Sequence, residues 1–242
     1  LDSLGVDLAD NTPCHVTSLG RTPRDGYAVE RLVLTLDRDN PIPVNLYIPD
    51  SASGPSPAVL CPHGHSPAGK AHAVYQTFYI TLARLGYMVL AYDMIGFGER
   101  AAMGHADVYG PFLAGGSLLG MQIREAMRLL DHLADHPLVD PGRLGCTGNS
   151  GGGTMALFLA ALDCRIAVAA PAGYNGPYRY TAAKERDICA CNIAPGLLRF
   201  AELDALFGMI APRPLLMVIG QHEPPFPHDA VPRTARPPRP IY

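Results

Sequence analysis

No stretch of this chain approaches the ~18 consecutive apolar residues that a membrane span requires. Its longest apolar runs, at 155–162 and 215–220, have the length of core segments. The first residues, Leu1-Asp2-Ser3-Leu4, carry neither a basic nor an apolar region, so no signal peptide is read there and a cytoplasmic location is expected. A start on Leu rather than Met is expected of a processed, trimmed or partial product. Charge is scarce too: charged residues make up 17% and the net charge is −3. That composition gives no electrostatic reason to expect nucleic acid or an anionic membrane as a partner. With 48% hydrophobic residues, a largely disordered chain is also excluded. The six cysteines show no disulfide pattern, and Cys189-Ala190-Cys191 has no second pair at metal-ligand spacing. The expectation is therefore reduced thiols, no metal and no cofactor.

What the chain does contain is a regular alternation of strand-like and helix-like segments. The order predicts an α/β fold, with a mostly parallel sheet and helices on both faces. Residues 27–36 and 41–49 flank a polar turn and read as an opening hairpin. Segments 58–62, 87–92, 143–147, 166–171 and 214–219 read as buried strands. Segments 73–85, 120–135 and 152–162 read as helices, the first ending at Gly86. At 242 residues the chain reads as one domain, 1–242. Stretches 99–116 and 173–206 break the rhythm, and 173–206 has the length of a lid or pocket wall.

Three motifs carry chemistry. Gly148-Asn149-Ser150-Gly151-Gly152 fits G-x-S-x-G between a short strand and an apolar helix. A nucleophile there sits on a strained turn, and bulky side chains two residues away would clash. Ser150 is the expected nucleophile, and the N–H of Gly151 is one expected oxyanion donor. Cys61-Pro62-His63-Gly64-His65 follows a buried strand, where the N–H of His65 is the second expected donor and the His63 and His65 rings are read as holding the loop. Glu223 follows the apolar run 214–219 by a glycine and two residues, in the serine–acid–histidine chain order. It is the expected acid, with Asp229 as its substitute.

Together with DMIGFGER at 93–100 and IAPRPLL at 210–216, these motifs resemble the α/β-hydrolase superfamily. Within it the likeness is to bacterial acetyl xylan esterase-like and dienelactone hydrolase-like carboxylesterases, from about residue 27 to 227. The resemblance implies a serine esterase acting on a small-molecule ester of short acyl groups through an acyl-serine intermediate. Relatives of this kind usually carry Asp where Glu223 stands, and dienelactone hydrolases proper use cysteine rather than Ser150. Arg100 is read as a structural ion pair.

The base is harder to read. In such a family the catalytic histidine follows the acid by a few tens of residues, whereas nineteen residues follow Glu223 and seven of the last twenty are prolines. Such a tail, 224–242, resists helix and interior strand. Three expectations stand side by side: the final helix and strand with their histidine are missing; His228 completes the triad; or the fold serves as a binding protein with little turnover. His132 and His136 have i, i+4 metal spacing but no evident third ligand. A sheet ending at 219 leaves an apolar edge, which predicts self-association into a homo-oligomer.

Overall fold

The computed structural model describes residues 4–9, 14–36, 40–105, 109–174, 177–179 and 189–220. Its centre is a seven-stranded sheet: β1 (His15–Arg24), β2 (Tyr27–Thr35), β3 (Pro41–Pro49), β4 (Ser56–Pro62), β5 (Met88–Tyr92), β6 (Val139–Asn149) and β7 (Ile166–Ala172). The spatial order is β1-β2-β3-β5-β4-β6-β7. The first pairings, through β3 with β5, are antiparallel; β5, β4, β6 and β7 run parallel. The predicted hairpin is present, and its register sets Leu32 opposite Val44 and Leu34 opposite Ile42, all four buried.

Among the described residues, helices α1 (Ala73–Arg84), α2 (Tyr109–Leu113), α3 (Leu118–Ala134), α4 (Gly151–Leu162) and α5 (Leu203–Ile210) accompany the sheet. Ser117 caps α3 by accepting the Gly120 N–H at 3.0 Å. Helix α4 is apolar on every side and buried from Gly151 to Ala161, as a helix sealed within the core must be. Period-two alternation divides the parallel strands. Leu60, Leu144, Cys146 and Ala169 join α3, α4 and α5 in the main core. Their neighbours Val59, Cys61, Gly145, Thr147, Val168 and Ala170 face the side of α1. Helix α1 spans only part of that side. Beside it lies an apolar trough of about 600 Å³, along which Val168 and Leu216 are exposed.

Two expectations change. The segment read as a strand at 214–219 makes only two parallel bridges to β7, Ala169 with Leu215 and Ala172 with Val218. Arg213 fixes its start, donating to Ala160 O and Ile166 O, both at 2.7 Å, and to Asp163 O at 3.1 Å. Its guanidinium thus satisfies carbonyls that the end of α4 leaves open, which explains the APRPLL element without any chemistry. The stretches read as irregular, 99–116 and 173–206, also contain regular pieces: 3₁₀ turns at Gly98–Met103 and Ala190–Asn192, helix α2 and the start of α5.

Arg100 is the structural ion pair expected. Its guanidinium holds both Glu125 oxygens, at 2.8 and 2.7 Å, and donates to Asp93 O at 3.0 Å and Asn40 Oδ1 at 2.5 Å. Both partners of the ion pair are 2% exposed.

Candidate active site

The chain leaves β4 for β5 on one side and returns past it to β6 on the other, so the ends of β4 and β6 flank a topological switch point. Ligands of open parallel sheets sit at such crevices, beyond the carboxyl ends of the strands. His65 follows β4 and Ser150 follows β6, so both belong to this crevice.

Ser150 has φ 54° and ψ −120°, and no other described non-glycine residue has positive φ. Its backbone N–H donates to Ala172 O at 2.9 Å and its carbonyl accepts the Thr154 N–H at 3.0 Å, so the turn is held from both sides. Strain of this kind persists only where surroundings over-determine it. Those surroundings include glycine contacts: a Cβ on Gly148 would lie 2.5 Å from Gly152 O, and one on Gly152 would lie 2.7 Å from His63 O. Each would also collide with Pro62 O. The two glycines of the motif are thus fixed by close approach of the β4 and β6 ends. Gly151 is the first residue of α4, and helix geometry leaves its N–H without an intrahelical acceptor.

The ring of His65 reaches Ser150. Its Nδ1 lies 2.9 Å from Ser150 Oγ, and its Nε2 lies 3.2 Å from Cys191 Sγ. The sequence reading placed only the His65 backbone here and took its ring for a loop-holding group. The ring meets partners 85 and 126 positions away, so no local spacing encodes the contact. The loop-holding role falls to His63, which is fully buried. It donates from Nδ1 to Gly64 O at 2.7 Å and accepts the Met94 N–H at Nε2, at 3.1 Å.

The segment after 189 forms one wall. Cys191 is buried against His65, and Asn192 Oδ1 accepts from Thr154 Oγ1 at 2.5 Å. The Tyr174 and Tyr178 hydroxyls both donate to Asn192 O. The Cys191 thiol hydrogen-bonds Cys189 and holds its pKa well below the ordinary thiol value; burial opposes this, and His105 and His65 reinforce it. Cys191 moves the other way, raised first by that same bond and then by burial. Burial works against charge on His105, yet the nearby Cys189 sulfur and the Ile95 carbonyl outweigh it and raise its pKa.

Burial, the largest effect on His63, lowers its pKa below 6.5. A folded-state pKa below the unfolded value means that the unfolded chain takes up the proton first. Stability complete above about pH 6.5 is therefore expected to fall as the pH drops below it. His132 and His136 shift in the same direction. Urea midpoints measured on either side of pH 6.5 check this, and His63→Gln is expected to reduce the dependence. An unchanged dependence would contradict the neutral assignment of His63.

Glu223, His228 and Asp229 lie outside the described residues. His132 and His136 acquire no third ligand among the described residues. The six cysteines are unpaired, and among the described residues no helix is long and apolar enough to cross a membrane.

Comparison with known proteins agrees with this architecture. Residues 40–185, more than half of the chain, match the family model of X-Pro dipeptidyl-peptidase (S15 family). A Bacillus subtilis (strain 168) protein assigned as the hydrolase YtaP is 31% identical over 239 residues, covering 93% of this chain and 80% of its own length. A Bacteroides fragilis NCTC 9343 structure assigned as an acetyl xylan esterase superposes with a TM-score of 0.73 at 19% identity, over 86% of this chain and 63% of that one. The methylesterase BT1017 gives 0.66 at 26% identity, over 89% and 47%. The chain therefore spans less than two thirds of either structure's length. By its sequence match and its sheet, the chain belongs to the X-Pro dipeptidyl-peptidase (S15) family and is a hydrolase of α/β-hydrolase fold.

Proposed function

We propose that this protein is a serine carboxylesterase acting on small-molecule esters with short acyl groups. The observation that carries the reading is Ser150 itself: a strained strand-to-helix residue whose Oγ lies 2.9 Å from an imidazole nitrogen. A hydroxyl so placed has a general base within reach of its proton. In the proposed reaction Ser150 Oγ attacks the ester carbonyl carbon and His65 Nδ1 accepts the hydroxyl proton. The N–H groups of Gly151 and His65 stabilise the tetrahedral oxyanion. The C–O bond to the alcohol breaks, and His65 returns the proton to the leaving oxygen. Water then attacks the acyl-serine by the same route, releasing the acid and restoring Ser150. His65 Nε2–H faces the Cys189 and Cys191 sulfurs, which hold the tautomer that leaves Nδ1 free to accept.

The acetyl xylan esterase and methylesterase names among the structural relatives favour an ester over a peptide bond. The family model carries a dipeptidyl-peptidase name, which makes an X-Pro peptide the competing substrate. A competing assignment of the base keeps the chain order serine–acid–histidine, with Glu223 orienting His228. A fluorophosphonate probe tests the core of the proposal. Stoichiometric labelling is expected in the wild type and none in Ser150→Ala; an unlabelled wild type overturns an activated serine. Turnover of p-nitrophenyl acetate alongside a Gly-Pro p-nitroanilide separates ester from X-Pro chemistry. Full activity in His65→Gln together with its loss in His228→Ala moves the base to His228.

A further inference from the structure

We propose that His65, His105, Cys189 and Cys191 form a binding site for a thiophilic divalent cation such as Zn²⁺, set against the nucleophile. One donor atom from each of the four lies within 4.8 Å of every other. Tetrahedral Zn²⁺ with two nitrogen and two sulfur ligands needs donors about 3.3–3.8 Å apart, given Zn–N and Zn–S bonds of about 2.0–2.1 and 2.3 Å. His65 Nε2 and Cys191 Sγ already stand at 3.2 Å. The remaining closure is within the reach of side-chain rotation.

The histidines are prepared for such a role. His105 Nδ1–H donates to Ile95 O at 2.7 Å, the second-shell bond that fixes the tautomer of a metal-binding imidazole. This leaves its Nε2 as the available donor, a buried atom on the side of the Cys189 sulfur. Phe97 packs on both rings, with centroids 4.2 Å from His105 and 5.7 Å from His65, and so holds them toward each other. The two cysteines flank Ala190 at a 3₁₀ turn, and neither is in a disulfide. Nitrogen and sulfur donors in equal number suit Zn²⁺ and exclude the oxygen-seeking Mg²⁺ and Ca²⁺. Sequence reasoning finds no metal because the complement to Cys-x-Cys is two histidines from separate loops. On binding, any proton on the two thiols passes to solvent as the sulfurs become thiolate ligands.

The consequence for Ser150 rests on the reading of His65 as its base. A cation on His65 Nε2 leaves the ring proton on Nδ1, facing Ser150 Oγ. The nitrogen that would accept the serine proton then donates instead, and the nucleophile is silenced.

Binding is tested without turnover. The metal-free protein is titrated with Co²⁺, and the expected result is one equivalent bound with thiolate-to-cobalt charge-transfer absorption and the strong visible bands of tetrahedral geometry. Cys189→Ser and Cys191→Ser are expected to lose the charge-transfer intensity, while His132→Gln keeps it. Should a cysteine variant fail to fold, the wild type still answers through alkylation. Zn²⁺ at about ten times Kd is expected to slow iodoacetamide modification of Cys189 about tenfold, because about a tenth of the sites stay free. Exposed Cys164 is the internal control and is expected to react unchanged. Absence of stoichiometric binding, cobalt bands without sulfur character, or unprotected Cys189 overturns the site. Fluorophosphonate labelling is expected to stop with Zn²⁺ and return with chelator. Labelling unaffected by bound Zn²⁺ overturns the coupling to Ser150, and labelling absent from the metal-free protein overturns the serine reading instead.

Discussion

Ser150→Ala is expected to lower kcat for p-nitrophenyl acetate by on the order of 10⁴–10⁶-fold, and His65→Gln by a similar factor, as residues acting in one proton-transfer unit do. The informative quantity is the double variant. Ser150 Oγ and His65 Nδ1 share one hydrogen bond, and either deletion leaves the other with nothing to do. The double variant is therefore expected to be no slower than the worse single one, against the product of both factors for independent residues. What remains in all three should be on the order of 10³–10⁴-fold over water, the share that oxyanion donors and substrate binding supply in serine hydrolases. Steady-state kinetics on the four proteins measures this. Multiplicative losses would show that His65 acts on something other than Ser150.

Arg100→Met should produce the largest loss of stability. Both partners of the Arg100–Glu125 pair are 2% exposed, so the variant leaves a carboxylate buried with its counter-charge gone. Removing one partner of such a pair costs about 3–5 kcal/mol. For a chain of this size that corresponds to a fall in Tm of about 6–20 °C. The expected recovery distinguishes this cause from lost packing: Arg100→Met with Glu125→Leu removes both charges and should regain most of the loss, because well-packed apolar replacements of buried pairs are near neutral. Thermal or urea unfolding of the three proteins reads it. A double variant as unstable as the single one would place the effect in Asn40 and the Asp93 carbonyl, which Arg100 also holds.

The elements legible in the sequence are those whose burial writes a period. Leu32 and Leu34 alternate into the core, α4 is apolar throughout, and the glycines of 148–152 announce a turn too tight for side chains. Strand β1 is invisible for the opposite reason. It is an edge strand, and all but one of its ten residues are exposed, so no face is selected for apolar character. The run 214–219 is apolar enough to read as a strand, yet it is last in the described sheet order and makes only two bridges. At the site, the strained turn that carries Ser150 is local and was readable. The His65–Ser150 and His65–Cys191 contacts are products of topology, made when β4 and β6 become neighbours and the wall after 189 folds over them.

That adjacency has a consequence for how the protein can diversify. The ends of β4 and β6 meet main chain to main chain: a Cβ on Gly64 would lie 2.6 Å from Asn149 O, just as Gly148 and Gly152 admit none against Pro62 and His63. The offset between the loops that carry His65 and Ser150 is therefore a backbone constant, indifferent to nearby side-chain exchange. The wall carrying Cys191 and Asn192 is instead held through side chains, Thr154 to Asn192 and the two tyrosines to its carbonyl. Exchange of Thr154, Tyr174 or Tyr178 is thus expected to shift the wall, and with it the sulfur that meets His65 Nε2, while Ser150 stays where the glycines put it.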